Sequence, residues 1–318
     1  MNIVFFIIGL ALLVAGANYF VDGAAGIAKR LKVSALLIGL TVVAFGTSAP
    51  EVAVSISASL KGNNGIALGN VLGSNIFNLS FILGAAAIIF PLSVERQTIK
   101  KEIPIMILSA LSLFALGVDS VIDQNSNIVI SRGDGLMLLL LFASFLYYVI
   151  EVARNSREVV ELLDNPIEGS TFKLIIKTAG GLAFIIVGGY LVVESAVEIA
   201  ASLGLSQTFI GLTIVAIGTS LPELVTSIIA SIKKNPEIAV GNVVGSNIFN
   251  AFFILGASAV ISPIAVNSSL IIDMTFNIIL SFILLFFSIS HRSISKKEGG
   301  GLLLTFFAYN WYLIASIY

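Results

Sequence analysis

Two carboxylates stand where a membrane-spanning sequence does not ordinarily carry them. Glu51 lies in GLTVVAFGTSAPEVAVSISAS, residues 39–59, and Glu223 in GLTIVAIGTSLPELVTSIIAS, residues 211–231. Each ends a short polar run, Thr47, Ser48 and Pro50 in the first copy and Thr219, Ser220 and Pro222 in the second. A proline inside a helix removes one backbone N–H, so the carbonyl of Gly46, four residues before Pro50, loses its donor. In lipid such a group persists only where it meets protein, water or an ion. An ionisable side chain at that depth marks a functional site. One such stretch alone also reads as a kinked helix with a neutral, hydrogen-bonded Glu; the second copy weighs against that. The chemistry on offer is the binding of hard cations, because Ca²⁺ and Na⁺ take carboxylate, carbonyl and hydroxyl oxygens. Two further segments add oxygens. ALGNVLGSNIFNLSFILG at 67–84 and AVGNVVGSNIFNAFFILG at 239–256 carry Ser74 with Asn78 and Ser246 with Asn250. The i,i+4 spacing puts each pair on one helix face. Apposed about a pseudo-two-fold axis, the four segments make an oxygen-lined cage with two carboxylates.

All these pairs are separated by 172 positions, as are Pro91 and Pro263 and, more faintly, the runs that begin at Gly9 and Gly181. An internal repeat held in one register is the mark of secondary transporters, whose sites lie between the halves near the bilayer midplane. Composition agrees. Of 318 residues 57% are hydrophobic and 11% charged, where a soluble domain carries about a quarter charged residues. The absence of cysteine excludes disulfides, thiolate chemistry and Cys-ligated metals. The single His291, beside Arg292, excludes a His-rich catalytic or zinc site. No nucleophile–base pair or cofactor motif points to an enzyme, and a net charge of −1 points to no nucleic-acid partner.

With about 20 apolar residues per span, ten helices are expected. They lie near 2–28, 34–60, 65–90, 103–118, 134–153, 173–202, 207–231, 237–260, 270–290 and 300–317. The fold class is therefore all-α and polytopic, with broken helices at the ion site. The first span lacks the basic lead and cleavage site of a signal peptide and reads as retained. Residues 1–153 form the first five-helix repeat, 154–172 a polar linker and 173–318 the second repeat. All but two of the 17 basic residues, Lys61 and Arg132, fall on one side of this map. By the positive-inside rule that side, with the linker, is cytoplasmic, so both termini face outward and the halves are inverted. The expected setting is the plasma membrane, with lipid as the surrounding medium and no protein partner implied.

The paired GTSxPE and GNxxGSNIFN segments resemble those of the cation/Ca²⁺ exchanger superfamily, in particular prokaryotic Na⁺/Ca²⁺ exchangers. The resemblance covers nearly the whole chain. It implies that Glu51 and Glu223 ligate Ca²⁺ directly. It also implies that Thr47, Ser48, Ser74, Asn78, Thr219, Ser220, Ser246 and Asn250, with backbone carbonyls near Ala44 and Ala216, complete the Ca²⁺ and Na⁺ sites. Some prokaryotic relatives carry Asp where this chain has Asn250, so its cage holds two negative charges rather than three. The transported ions are then Ca²⁺ and Na⁺, with no cofactor, in an electrogenic exchange of three Na⁺ per Ca²⁺. Two rivals remain: an H⁺/Ca²⁺ exchanger of the same fold, since two carboxylates can accept two protons, and a cation channel.

Other features have plainer readings. Gly69 with Gly73 and Gly241 with Gly245 form GxxxG pairs suited to close helix packing. Asn70 and Asn242 either cap helices or line an ion path. Asp22 and Glu194 read as solvated interfacial acids, with an ion entrance as the alternative. Asp119, Asp123, Arg132 and Asp134 read as solvated residues of an outer loop, and the linker carries no EF-hand pattern.

The lack of native cysteine makes the orientation directly testable. Single cysteines at Ser34 and Asn235 are expected to react with an impermeant thiol reagent from the cytoplasmic side, and those at Asn63 and Ser206 from outside. Labelling of positions 63 and 235 from the same face would refute the inverted arrangement.

Overall fold

The computed structural model describes residues 2–62, 64–122, 129–159, 170–202, 216–266 and 268–317. Helix α1 runs over Asn2–Leu31. Helices α2 (Ala35–Thr47) and α3 (Ala49–Leu60) are two arms of one span, bent by 48° at Ser48. Next come α4 (Gly65–Ile89) and α5 (Thr98–Val118), then α6 (Arg132–Val159) and α7 (Thr171–Ser202). The second half continues with α8 (Ala216–Thr219), α9 (Leu221–Ile232) and α10 (Pro236–Ile261). It closes with α11 (Ser268–His291) and α12 (Lys296–Ile317). Among the described residues seven of these helices are long and apolar enough to cross a bilayer, and α2 with α3 adds a broken eighth. Helices α4 and α10 are the most enclosed, 72% and 78% buried against 22–28% for α1, α6, α7 and α11. The site-bearing segments thus form the centre. The outer helices turn Ile3, Ile7, Leu140, Val187 and Phe286 outward, as an apolar solvent allows.

Glycines set how closely the repeat-related helices approach. A Cβ on Gly16 would lie 2.8 Å from the carbonyl of Gly181, and one on Gly188 would lie 2.7 Å from the carbonyl of Gly9. Residue numbers rise along α1 as they fall along α7, so the two helices are antiparallel. The same economy of side chain seats α10 on α2. Cβ atoms on Gly241 and Gly245 would stand 2.6 and 2.5 Å from the carbonyls of Leu36 and Leu40. The packing role read for that GxxxG pair therefore holds. Much of the segment repeat-related to α2, residues 203–215, lies outside the described residues, and so does Ser206.

Each half clasps the other. Chain turns after Pro91 and Pro263 form two-residue strands, β1 (Leu92–Ser93) and β3 (Ile264–Ala265). Strand β1 pairs antiparallel with β4 (Ser293–Ile294) from the second half, and β3 with β2 (Val129–Ile130) from the first. These short ladders give partners to backbone groups where the helices stop, a detail absent from the all-helical expectation. Beside them Gly84 meets the Gly299 carbonyl and Gly256 that of Gly135, which seats α12 on α4 and α6 on α10. Aromatic trios fill the same two joints: Phe142 with Phe249 and Phe253, and Phe306 with Phe77 and Phe81.

Several expectations change. Helix α5 begins at Thr98, five residues before its apolar run, through a π-helical turn that carries Lys100, Lys101 and Glu102. Helix α6 continues to Val159 and α7 starts at Thr171, so the linker is shorter than 154–172; residues 160–169 lie outside the described set. Asp22 is not merely solvated. Its carboxylate pairs with Lys177 of α7 at 2.9 Å and with Lys233, just past α9, at 2.5 Å. Asp134 caps α6 by accepting from the Ser131 amide and hydroxyl, each at 2.7 Å, and Arg132 Nε donates to the Val260 carbonyl. Glu298 repeats that cap on α12 by accepting from the Ser295 amide at 2.7 Å. Asn63 and Asp123 lie outside the described residues.

The glycine seam yields a sharp expectation. A Cβ at Gly181 would sit 2.5 Å from the Phe20 nitrogen, whereas one at Gly180 meets nothing within 4 Å. Gly181→Ala must push α1 and α7 apart, at a cost of about 1–3 kcal/mol typical of overpacking. Its Tm in detergent is expected to fall by several degrees, and that of Gly180→Ala to stay within error.

Candidate cation site

The broken spans bring both carboxylates to helix beginnings. Pro50 and Pro222 occupy the first turns of α3 and α9, where the missing N–H has no intrahelical partner to lose. Glu51 and Glu223 follow immediately, each 1% exposed. A helix N-terminus presents free N–H groups and a positive dipole end, which favours a carboxylate there. Sequence therefore dictates the break, and the break supplies part of what the buried acid needs.

The rest comes from the opposite repeat. Ser48 Oγ donates to Glu223 Oε1 at 2.8 Å, and Ser220 Oγ donates to Glu51 Oε1 at 3.0 Å. The hydroxyls of Ser48 and Ser246 lie 3.1 Å apart, as do those of Ser220 and Ser74. Thr47 Oγ1 donates to Asn242 Oδ1 at 3.0 Å and Thr219 Oγ1 to Asn70 Oδ1 at 3.4 Å. The Ala44 carbonyl comes within 3.5 Å of Ser246 Oγ, while Ala216 opens α8 at the matching point. Extra residues in π-helical turns mark these segments at Gly39–Val43, Asn78–Ile82 and Phe249–Ile254, a bulge that helices show frequently at functional positions.

Four oxygens here are buried without a hydrogen-bond partner: Glu51 Oε2, Glu223 Oε2, Asn78 Oδ1 and Asn250 Oδ1. A buried acceptor left unpaired costs about 1–3 kcal/mol, and more when it is charged. The set contains acceptors only and holds two formal negative charges. Its chemistry fits one positively charged guest that takes oxygen ligands. Among the described residues no group of three or more Asp, Glu, His and Cys is placed to hold a metal ion. A cation held here would take most of its ligands from neutral oxygens, and two ionised carboxylates would balance one divalent ion.

The side chains of the ten residues singled out by sequence, from Thr47 to Asn250, thus fall into three hydrogen-bonded groups: one around Glu223 with Thr47, Ser48 and Ser246, one around Glu51 with Ser74, Thr219 and Ser220, and one of asparagines that holds Asn78 and Asn250. Asn70 and Asn242 tie these groups to their helices, and Ser55, Ser227, Asn75 and Asn247 join them without having been singled out. Asn242 Nδ2 donates to the Glu223 carbonyl and to Ser227 Oγ, and Asn70 Nδ2 to the Glu51 carbonyl and to Ser55 Oγ. These asparagines lie inside α4 and α10 and bridge neighbouring helices, so they do not cap helix ends. Asn75 and Asn247 also join, through amide contacts with Asn250 and Asn78. The signal that finds them is the repeat itself, since Ser55, Asn70 and Asn75 each recur 172 positions on. Away from the centre, two further acids are partly or wholly buried. Tyr148 donates its hydroxyl to the buried Glu102. Glu95, after β1, is held above the ordinary glutamate range by partial burial and by the nearby Glu237 and Glu102 charges.

Comparison with known proteins places this arrangement. The family model described as sodium/calcium exchanger protein matches residues 1–151 and 173–315. A putative antiporter, CaxA, of Alkalimonas amylolytica is 37% identical, with 98% of each chain covered. The sodium/calcium exchanger MaX1 of Methanosarcina acetivorans is 34% identical, with 97% of each covered. A solved structure of the sodium-calcium exchanger NCX_Mj superposes with a TM-score of 0.84 at 32% identity, covering 97% of this chain and 98% of that one. With a family model over both halves and relatives alike from end to end, this chain belongs to the sodium/calcium exchanger family and is a secondary transporter rather than an enzyme.

Proposed function

We propose that the chain is an alternating-access antiporter that exchanges Ca²⁺ for Na⁺ through the centre between α2–α3, α4, α8–α9 and α10. The observation that carries this reading is the pair of buried carboxylates, each bonded by the serine of the opposite repeat and each keeping one oxygen unpartnered. Glu51 and Glu223 are the Ca²⁺ ligands that neutralise the ion. Thr47, Ser48, Ser74 and Asn78, with Thr219, Ser220, Ser246 and Asn250, supply neutral oxygens to Ca²⁺ and Na⁺, aided by the carbonyls of Ala44 and Ala216. Residues 1–153 and 173–318 act as the two inverted repeats. Both termini lie outside the plasma membrane, with the intervening linker in the cytoplasm.

Charge counting separates Na⁺ from H⁺ as the coupling ion. The centre loaded with Ca²⁺ is neutral if both glutamates are ionised. A return with two protons is also neutral, so membrane voltage would not act on the cycle. A return with three Na⁺ carries one net positive charge inward, worth about 2.3 kcal/mol per 100 mV. The eight neutral oxygen-bearing side chains favour Na⁺, because protons need only the carboxylates.

Two measurements test this reading. Glu51→Gln and Glu223→Gln each remove a charge and an anionic ligand while relieving repulsion between the acids. Each is expected to yield folded protein without Ca²⁺ transport, and near-wild-type flux in either would sink the site assignment. Ca²⁺ uptake into Na⁺-loaded proteoliposomes, with the potential clamped by valinomycin and K⁺, is expected to require the Na⁺ gradient and to follow voltage at fixed pH. Uptake that tracks the pH gradient and ignores Na⁺ would make the protein a proton exchanger. Uptake that needs Na⁺ but ignores voltage would overturn the three-to-one ratio.

A further inference from the structure

An asparagine can turn either its oxygen or its NH₂ group toward a cation, and only the oxygen binds. What settles the matter for Asn78 and Asn250 lies behind them, where α4 and α10 cross. Asn75 Nδ2 donates to the backbone carbonyl of Asn247 and Asn247 Nδ2 to the backbone carbonyl of Asn75, both at 3.3 Å. A backbone carbonyl can only accept, so each of these side chains must spend its NH₂ group there. The oxygen of Asn247 is then left to accept from Asn78 Nδ2 at 3.0 Å, and that of Asn75 to accept from Asn250 Nδ2 at 3.1 Å. With their NH₂ groups engaged, Asn78 and Asn250 keep buried oxygens that have no hydrogen-bond partner. Asn78 stands one turn from Ser74 on the same helix face, and Ser74 touches the Ser220 hydroxyl that bonds Glu51. All four asparagines are 1% exposed.

We propose that Asn75 and Asn247 are positioning residues. Each is locked by the other's backbone carbonyl, and through that lock each fixes the amide of the opposite repeat's asparagine so that it presents oxygen to the transported cation. The polarity runs one way, from backbone carbonyl to Asn247 to Asn78 and from backbone carbonyl to Asn75 to Asn250. A reversed Asn78 would set its oxygen against the oxygen of Asn247 and its N–H groups against the cation. The role reaches beyond the ligand set by explaining how neutral amides act as reliable oxygen donors in both repeats. It rests on the site assignment proposed above.

A double-substitution cycle tests it. Asn247→Leu keeps the shape but removes the oxygen that holds Asn78, so the apparent KM for Ca²⁺ is expected to rise by roughly tenfold, the scale of one lost hydrogen bond or ligand, more than the maximal rate falls. Asn78→Asp presents an oxygen whichever way it turns. With Asn247 intact that oxygen opposes the Asn247 oxygen, but in the Asn247→Leu protein it meets no such opposition. Asn78→Asp is therefore expected to be harmful alone and to lower the KM of the Asn247→Leu protein. An effect of added charge alone would be the same in both backgrounds. Equal effects of Asn78→Asp in the two backgrounds, or a wild-type KM for Asn247→Leu, would overturn the proposal. Asn75→Leu gives the reading for Asn250 if a member of the first set fails to fold: its apparent KM for Ca²⁺ is expected to rise by a similar factor, and a wild-type KM would overturn the proposal. Transport surviving in the two Glu→Gln proteins would instead condemn the site assignment itself, so the two failures are distinguishable.

Discussion

A carboxylate enclosed at the centre of a membrane protein must be given hydrogen bonds and positive charge, and here two of them share one interior. That requirement governs the architecture around them. Each glutamate sits in the first turn of a helix that exists only because a proline follows a break. Each also takes a serine hydroxyl from the other repeat. The pairs Ser48–Glu223 and Ser220–Glu51 cross in opposite sequence directions, so the two helix beginnings converge from opposite sides. Parallel repeats would aim both N-termini the same way, and the two reciprocal serine–glutamate bonds could not cross between them. Inversion is thus the arrangement that lets one sequence motif serve twice in a single site.

Completing each half-site with the other half has a mechanical consequence. Neither repeat is self-contained: β1 pairs with β4 and β2 with β3, while α12 packs on α4 and α6 on α10. The central helices carry the polar groups and are sheathed by helices of the opposite repeat. Lipid meets mainly the outer faces of α1, α6, α7 and α11. Such cross-bracing keeps the centre in place, as a fixed site requires if access is to alternate around it.

Much of the centre was legible in sequence because its chemistry is conspicuous in an apolar background. Glu51, Glu223 and their Thr-Ser-Pro contexts could hardly be read otherwise once the 172-residue repeat was seen. What was not legible depended on distance or on register. The partners of Asp22, Lys177 and Lys233, are more than 150 residues away and no local pattern announces them. The early start of α5 was hidden because the polar residues at 98–102 lower the hydropathy that marks a span. The second pair of sheathing helices escaped the repeat altogether, for a simple reason. Ser131 and Ser295, Gly135 and Gly299, and Phe142 and Phe306 are repeat-related in the structure but 164 positions apart. The chain between Pro91 and α6 is eight residues longer than its counterpart before α12, and that slippage erased the match at 172.

Where the two halves differ is as informative as where they agree. Asp22 is held by two lysines, yet its repeat counterpart Glu194 is bonded by the exposed Tyr190. Phe45 stacks on Phe249 with ring centroids 4.6 Å apart, while its counterpart Ile217 is exposed. The polar centre is nearly symmetric, with matching bonds on the two sides, so these differences do not arise in the site. They arise in how the outer helices lie on the core. A two-fold symmetric centre offers the same oxygens to an ion arriving from either face. Which face it arrives from must therefore be decided by contacts that break the symmetry. The ion-paired end of α1 is such a contact, joining α1, α7 and the end of α9 on the side that bears the basic residues. On the proposed exchange cycle, selectivity and access would rest on different parts of one fold: the first on repeated residues, the second on the places where the repetition fails.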